Sequence, residues 1–488
     1  MKILMLGWEY PPHMSGGLGT ACHGLTTALS QLGVDVHFVI PHLLGKETAS
    51  HMHIVGADLY AKSNQKDMPN LFEATRATHV AISDPTFTES LLSEPPSNNM
   101  QFLKIKKIPS FLTPYLKPET YSQLISFYQA YFKQSQKDRP TYINEFLLKQ
   151  MPFMPPVFLS LLQYENANKS PMQQYGNDLF AEVARFTKNV LNWAQDQSFD
   201  LIHAHDWMTF PAGLTLSKLT GKPLVIHVHS LEYDRSGKNS GNHQIQEIEK
   251  TATQSAQAVI AVSHYTRSII NQEHNVPLEK VQVVHNGVYS RQAMATYKKE
   301  KNLKSKIVLF LGRVTFQKGP DYFIEAASRV IPVLPDVTFV IAGTGDMLPQ
   351  LIMRVTEQGL EKNFVFTGFL KGEEVERMYS IADLYIMPSV SEPFGISTLE
   401  AVSHDVPVII SKQSGVSEVL NNALKVDFWD VDRLANLMIG ILKYPEIRDD
   451  IVSMAKEEVR KLQWERAANK VLDIYRKTLE VPQAFASV

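Results

Sequence analysis

The chain has 488 residues, with 48 Lys+Arg against 50 Asp+Glu and a formal net charge of −2. That length is too great for one core and predicts two or three domains, and the balanced charge excludes the basic face a nucleic-acid partner needs. The single cysteine, Cys22, excludes an intrachain disulfide and fits a reducing compartment. Only Ile3, Leu4, Met5 and Leu6 separate Lys2 from Gly7, too short an apolar run for a signal peptide and better read as a buried strand. No run of about 18 apolar residues occurs, so the expectation is a cytoplasmic protein.

Short apolar runs alternate with helical patterns, the mark of parallel α/β structure. A strand at Ile3–Leu6 leads through a long loop to a helix over 18–32, closed by Gly33 as a C-cap glycine, and then to a strand at Val36–Ile40. From 43 to 198 the rhythm fails: the segment is polar and aromatic, carries scattered prolines, and reads as a helix-rich insertion. Strands return at Leu201–His203, Leu224–His227, Val259–Val262 and Val281–Val284. A lysine-rich linker then opens a second α/β unit, with strands at Val308–Leu311, Thr338–Ala342, Phe364–Phe366, Leu384–Met387 and Val406–Ile410. The expected division is an acceptor-side domain over 1–297, a nucleotide-sugar domain over 298–463, and a final helical stretch over 464–488 returning to the first. In that stretch Ala467, Val471, Leu472 and Tyr475 share one helical face.

The strongest chemical signal lies in the second half. Ser391-Glu392-Pro393-Phe394-Gly395-Ile396-Ser397-Thr398-Leu399-Glu400 follows a strand and opens a helix. Gly395 lets a ligand approach the backbone, and the amides of Ile396, Ser397 and Thr398 face an anion at the helix start. Glu392 and Glu400 flank this seat, and carboxylates suit sugar hydroxyls. A lone pair of glutamates at this spacing is as well explained by solvated side chains. The second motif, Gly312-Arg313 with Lys318-Gly319-Pro320, also joins a strand to a helix. It places two cations at the carboxyl edge of the sheet, where they suit a pyrophosphate and the charge on a departing nucleoside diphosphate. In the first half, Gly16-Gly17-Leu18-Gly19 allows close backbone approach to phosphate but lacks the third glycine of a dinucleotide fingerprint.

The combination resembles the retaining glycosyltransferases of families four and five, the latter including glycogen and starch synthases, with the two-domain GT-B fold. The likeness rests on Gly312-Arg313, Lys318-Gly319 and Glu392 to Glu400, and on Gly16-Gly17-Leu18. His203-Ala204-His205-Asp206-Trp207, Val228-His229-Ser230-Leu231-Glu232-Tyr233 and Val284-His285-Asn286-Gly287-Val288 complete it. It covers 1–42 and about 200–475. It implies two Rossmann-like doubly wound domains facing a cleft. It further implies that Arg313 and Lys318 hold the donor diphosphate, Glu392 the transferred sugar and Glu400 the ribose. Gly16 and Gly17 approach the phosphates from the opposite domain, and His229 holds the sugar, with Asp206 near it. The backbone around Phe369 and Leu370 meets the base. The implied donor is a UDP- or ADP-sugar, the acceptor a carbohydrate, and no cofactor is required.

Other readings compete. The pairs His203/His205 and His227/His229 invite a zinc hydrolase, since strand residues two apart share a face; the plainer account has one histidine of each pair packed and one in the cleft. A zinc site leaves the Arg313/Lys318 and Glu392/Glu400 motifs unexplained. Asp430-Val431-Asp432 mimics a metal-binding motif but reads more simply as an N-cap and first-turn acid, so no metal is expected. Lys104, Lys106, Lys107 and Lys117, among apolar residues, give only weak lipid attraction, which argues against membrane contact. Trp8, Tyr10 and Tyr233 fall in loops where they are candidates to stack on a sugar. A non-catalytic nucleotide-sugar or glucan-binding protein, and a family-four enzyme with a lipid or small-molecule acceptor, are the remaining alternatives.

Overall fold

The computed structural model describes residues 1–12, 16–43, 47, 49–60, 104–105, 179–237, 241–288 and 305–480. Two seven-stranded sheets, every pairing parallel, organise these residues. The first runs in the order β3-β2-β1-β5-β6-β7-β8. Its strands are β1 (Lys2–Leu6), β2 (Asp35–Ile40), β3 (His53–Gly56), β5 (Leu201–His205), β6 (Leu224–Val228), β7 (Ala258–Ala261) and β8 (Val281–Val283). The second runs β14-β13-β12-β9-β10-β11-β4. Here β4 is Lys104–Ile105, β9 Lys306–Leu311, β10 Val337–Ala342, β11 Phe364–Gly368, β12 Leu384–Met387, β13 Val408–Ser411 and β14 Leu424–Val426. Parallel strands covered by helices on both faces read as continuous apolar runs; β6 and β12 accordingly bury every residue.

Both sheets reverse their winding. Chain order moves outward from β1 through β2 to β3, then returns to β5 on the other side of β1. It likewise moves from β9 to β10 and β11, then returns to β12 on the other side of β9. In doubly wound sheets the crevice for a ligand lies beyond the carboxyl ends of the strands at that reversal. The loops after β1 and β5, and after β9 and β12, are therefore the places where chemistry is to be sought.

The interruption of the first unit is narrower than the expected 43–198. Strand β3 lies inside that span and pairs with β2, His37 opposite His53. Its four residues, two of them histidine and glycine, are too short and polar to register as a strand in sequence. Helix α2 (Leu179–Ala194) also belongs to the core: Phe180, Val183, Phe186 and Val190 are buried in the cluster beneath the first sheet. Lys104–Ile105 runs parallel to Val365–Phe366 at the edge of the second sheet, not the first. Lys106, Lys107 and Lys117 lie outside the described residues. No described helix is long and apolar enough to cross a membrane.

Helix α13 (Trp464–Glu480) crosses back to the first sheet and packs on α1 (Gly17–Gln31). Trp464, Ala467, Ala468, Val471, Leu472 and Tyr475 are buried with Ala21, Cys22 and Leu25 of α1. The seat is close: a Cβ at Gly24 would stand 2.1 Å from the Trp464 ring, so only glycine admits the indole there. Beside it the Val288 amide donates to the Leu462 carbonyl at 2.8 Å, so the two chain crossings between the domains run together. Trp8 and Tyr10 correct another expectation. Trp8 is buried with its ring edge on Phe186, and Tyr10 is buried between Phe38 and His23. Tyr233 is half-buried against the first core.

Candidate functional site

The loop after β9 is shaped by Gly319. It caps α7 (Pro320–Val330) at φ +62°, and a Cβ there would lie 2.2 Å from the Pro388 carbonyl oxygen. A left-handed, side-chain-free residue thus lets the β9 and β12 loops touch. Gln317, buried at 2% exposure, joins them: its carbonyl accepts the Val390 amide at 2.9 Å, and its side-chain oxygen accepts from Arg313 Nη2 at 3.2 Å. Lys318, in the turn before Gly319, forms an ion pair with Glu392 Oε2, which also accepts from the Ser389 hydroxyl at 3.3 Å. The structure thereby brings Arg313, Lys318 and Glu392, separated by about eighty positions, into one corner. Gln317 carried no signal in the sequence, because a glutamine in a polar loop looks like any solvated side chain.

Gly395, at φ +108°, caps α10 (Ile396–Ser403). The Thr398 amide donates to the Gly395 carbonyl at 3.1 Å, so the expected anion seat narrows to the backbone of Ile396 and Ser397. Ser397 is fixed by two phenols: Tyr385 OH donates to its Oγ at 2.8 Å and Tyr379 OH to its carbonyl at 3.1 Å. Tyr379 also reaches Glu400 Oε2 at 3.2 Å, and His404 stacks on Tyr379 while bonding the Glu400 carbonyl. Glu400 is therefore oriented by its surroundings, one turn beyond the anion seat. The Ile396 side chain packs against the cores of both domains. Leu370, just past the end of β11, is half-buried against the second core.

From the first domain, Gly16 and Gly17 begin α1 exposed, and a Cβ at either position would meet nothing within 4 Å, so the backbone is open to a ligand. The neighbouring Glu9 is buried and accepts the Gly19 amide at 3.2 Å. Asp206 follows β5 at φ +58°, an uncommon conformation for a residue that carries a Cβ. Its Oδ1 accepts the amides of His229 at 2.7 Å and Ser230 at 3.3 Å, tying the β5 end to the β6 loop. Burial pushes its carboxyl up to about 7, against those bonds and the nearby Arg235 charge.

The histidine pairs form a stack. His203 and His227 lie 5.3 Å apart at 8°, His205 and His229 5.1 Å at 22°, and His227 and His229 4.2 Å at 20°. His203 Nδ1 meets Tyr475 OH at 2.6 Å, and His205 Nδ1 meets His229 Nε2 at 2.8 Å. His203, His205 and His227 are all buried, so only His229 reaches toward the cleft; the expectation of one cleft histidine in each pair is corrected. Ligand atoms of His203, His205 and His227, and of Cys22, His205 and His229, do gather within 4.8 Å. Burial disfavours the charged form of these rings, pushing His203 and His229 down to about 3. Asp430 Oδ1 accepts the Arg433 amide at 3.1 Å as the N-cap of α11 (Val431–Lys443), and Asp432 pairs with Arg329 at 3.0 Å.

Comparison with known proteins matches this geometry to sequence. The family model of Glycosyl transferases group 1 matches 294–458, that of Glycosyltransferase Family 4 matches 169–291, and that of the starch synthase catalytic domain matches 2–96. The chain is 31% identical over 299 residues to an uncharacterised glycosyltransferase of Methanocaldococcus jannaschii, covering 58% of this chain and 76% of the relative. It is 30% identical over 322 residues to the alpha-maltose-1-phosphate synthase of Mycolicibacterium smegmatis (59% and 81%) and 23% identical over 493 residues to the glycogen synthase of Mycobacterium tuberculosis (97% and 94%). Among solved structures, the sucrose-phosphate synthase of Thermosynechococcus elongatus superposes with a TM-score of 0.65 at 17% identity, covering 98% of each chain. HepE of Anabaena, in complex with UDP-glucose, gives a TM-score of 0.59 at 16% identity, covering 98% of this chain and all of that one.

Proposed function

The chain belongs to the GT-B glycosyltransferases of the family four and family five type, and on that premise we propose that it is a retaining, metal-independent cytoplasmic enzyme that transfers glucose from UDP- or ADP-glucose to an α-glucan. The observation that carries this reading is the corner at the β9/β12 reversal. There Arg313, Lys318 and Glu392 meet beside the α10 start and Glu400. Arg313 and Lys318 hold the diphosphate, with the Ile396 and Ser397 backbone as a second anion contact. Glu392 binds the transferred sugar and Glu400 the ribose, while the backbone at Leu370 meets the base. Gly16, Gly17 and His229 close on the donor from the first domain, with Asp206 holding the His229 backbone. The C1–oxygen bond to the diphosphate breaks as the acceptor oxygen attacks the same face. The two cations take up the charge left on the phosphate, which takes the acceptor proton. We assign residues to 297 to the first domain, 298–463 to the second and the rest to the returning helix, with Lys104–Ile105 an exception that pairs at the edge of the second sheet.

A second reading, in which the acceptor is a small phosphorylated sugar, is favoured by the higher identity to the alpha-maltose-1-phosphate synthase than to the glycogen synthase. The deciding experiment scores the purified protein in EDTA against a panel of nucleotide sugars, first for donor hydrolysis and then for transfer to glycogen or to a sugar phosphate. Transfer to glycogen in EDTA is the expected result. Transfer only to the sugar phosphate selects the second reading, and activity that returns only with magnesium or manganese removes the charge role of the cations.

The two glutamates are expected to fail differently. Glu392 touches the sugar near the bond that breaks, so Glu392→Gln lowers turnover by roughly a hundredfold with little change in the Michaelis constant. Glu400 grips a part of the donor that does not react, so Glu400→Gln raises the Michaelis constant roughly tenfold and spares turnover. Steady-state kinetics with the preferred donor separate them; identical profiles sink the division of labour.

A further inference from the structure

The loop that carries Glu392 is bonded at both ends to the first domain. Ser391 Oγ donates to Asp234 Oδ1 at 2.6 Å. That commits its single hydrogen, so Tyr265 OH, 2.9 Å away, donates to the Ser391 oxygen. Asp234 lies in α4 (Glu232–Ser236) and Tyr265 in α6 (His264–His274), both in the first domain. On the other side of Glu392, the Thr266 hydroxyl lies 3.4 Å from the Pro393 carbonyl. Glu418 of the second domain accepts the amides of His264 at 2.9 Å and Tyr265 at 2.6 Å, and its carboxylate meets His285 Nε2 at 3.2 Å.

The first-domain side of this contact is rigid. Asp234 is 1% exposed and its second oxygen accepts the Leu231 amide at 2.8 Å. Its short helix is pinned by Arg235, which bonds Glu232 at 3.0 Å and the fully buried Glu249 at 2.8 Å. Burial raises the Asp234 carboxyl, and the Ser391 hydroxyl is the first of the contacts that hold it down. On the second-domain side, Glu392 is tied through its own amide to the Gln413 carbonyl at 2.9 Å. A buried carboxylate with one hydroxyl partner across a domain boundary loses that partner if the domains part, which makes the bond directional and costly to leave unmade.

We infer that Asp234 and Tyr265 are positioning residues for the transfer reaction: by holding Ser391 from the first domain, they set Glu392 in its working place only when the two domains are together. The inference rests on the donor-site reading of Glu392 given above. It makes the placement of a second-domain glutamate conditional on first-domain side chains, coupling cleft closure to chemistry.

The test uses the full chain with Tyr265→Phe, Ser391→Ala and Asp234→Asn. Each is expected to lower turnover roughly tenfold or more and to shift solution scattering of the ligand-free protein to a larger radius of gyration. Affinity for UDP or ADP should fall less than turnover does, because Arg313, Lys318 and Glu400 in the second domain keep their contacts while those of Gly16 and Gly17 are lost on opening. The double variant Tyr265→Phe/Ser391→Ala should lose no more than Ser391→Ala alone, since both changes cut one chain of bonds. Wild-type scattering together with wild-type turnover in Tyr265→Phe and Ser391→Ala overturns the inference, as does strict additivity in the double variant. Failure of the donor-site reading shows elsewhere: the wild-type protein then binds neither UDP nor ADP, while scattering still reports whether the clasp holds the domains.

Discussion

Lys318→Ala is expected to lower turnover by roughly a hundredfold to a thousandfold, a loss of about 3–4 kcal/mol in the transition state. Two effects act in the same direction. The lysine is one of two cations at the β9/β12 reversal, placed to take up charge on a departing diphosphate. It is also the ion-pair partner of Glu392, which is 6% exposed and otherwise accepts only from the Ser389 hydroxyl among its described side-chain contacts. Removing the ammonium leaves that carboxylate uncompensated and free to turn away from the sugar. Lys318→Arg should not restore the rate, since a planar fork does not reproduce a compact point charge in a corner shaped by Gln317 and Gly319. Arg313→Ala, whose guanidinium is steadied by Gln317, should fall in the same range without disturbing Glu392. Steady-state kinetics with the preferred nucleotide sugar, and circular dichroism to show the fold intact, decide the matter. Turnover within tenfold of wild type in both alanine variants would remove the cations from the chemistry.

The largest effect on stability is expected from pH. Four imidazoles, His203, His205, His227 and His229, are held neutral in one stack, with His203 and His229 pushed down to about 3 and the other two further lowered by burial and by one another. In the unfolded chain each takes a proton near 6.5. The folded state therefore binds fewer protons, and stability is fully present above pH 6.5 and lost as pH falls below it, levelling only near the folded values. Each ring costs about 1.4 kcal/mol per pH unit in that window. Buried carboxyls work in the opposite sense: burial pushes Asp206 up to about 7 and Glu249 up to about 8 and also raises Asp234, so folding takes up protons there as pH falls toward 4. Buried His274, pushed down to about 4, adds to the four stacked rings, so the imidazoles outnumber the carboxyls and stability is lost as pH falls below 6.5. Urea unfolding at pH 7.5 and 5.5 measures this directly. His227→Gln, which keeps a neutral side chain in the stack, should flatten the dependence by about one proton. A midpoint that does not move between the two pH values would mean the rings are charged in the fold.

What the sequence determined by itself was local. Ile3–Leu6, Leu384–Met387 and the other apolar runs between helical patterns needed no partner to read as buried parallel strands. Gly319-Pro320 and Asp430 announced helix starts through backbone and cap chemistry carried by one or two adjacent residues. The paired motifs Arg313/Lys318 and Glu392/Glu400 were visible for the same reason, each being a short segment whose residues act on one loop. Strand β3 escaped because four residues with histidine and glycine carry too little hydrophobic period, and only pairing with β2 makes them a strand. Tertiary structure alone decided the rest, because the deciding contacts join positions far apart in the chain. Lys318 meets Glu392 across 74 positions, and Ser391 meets Asp234 across 157. Four histidines that look like two metal-binding pairs become a neutral stack only when β5 lies beside β6 in the register that sets His205 opposite His227. Trp8 and Tyr10 sit in a polar loop by sequence, yet Phe186 and Phe38 bury them, since burial depends on what packs above a residue and not on its neighbours in the chain.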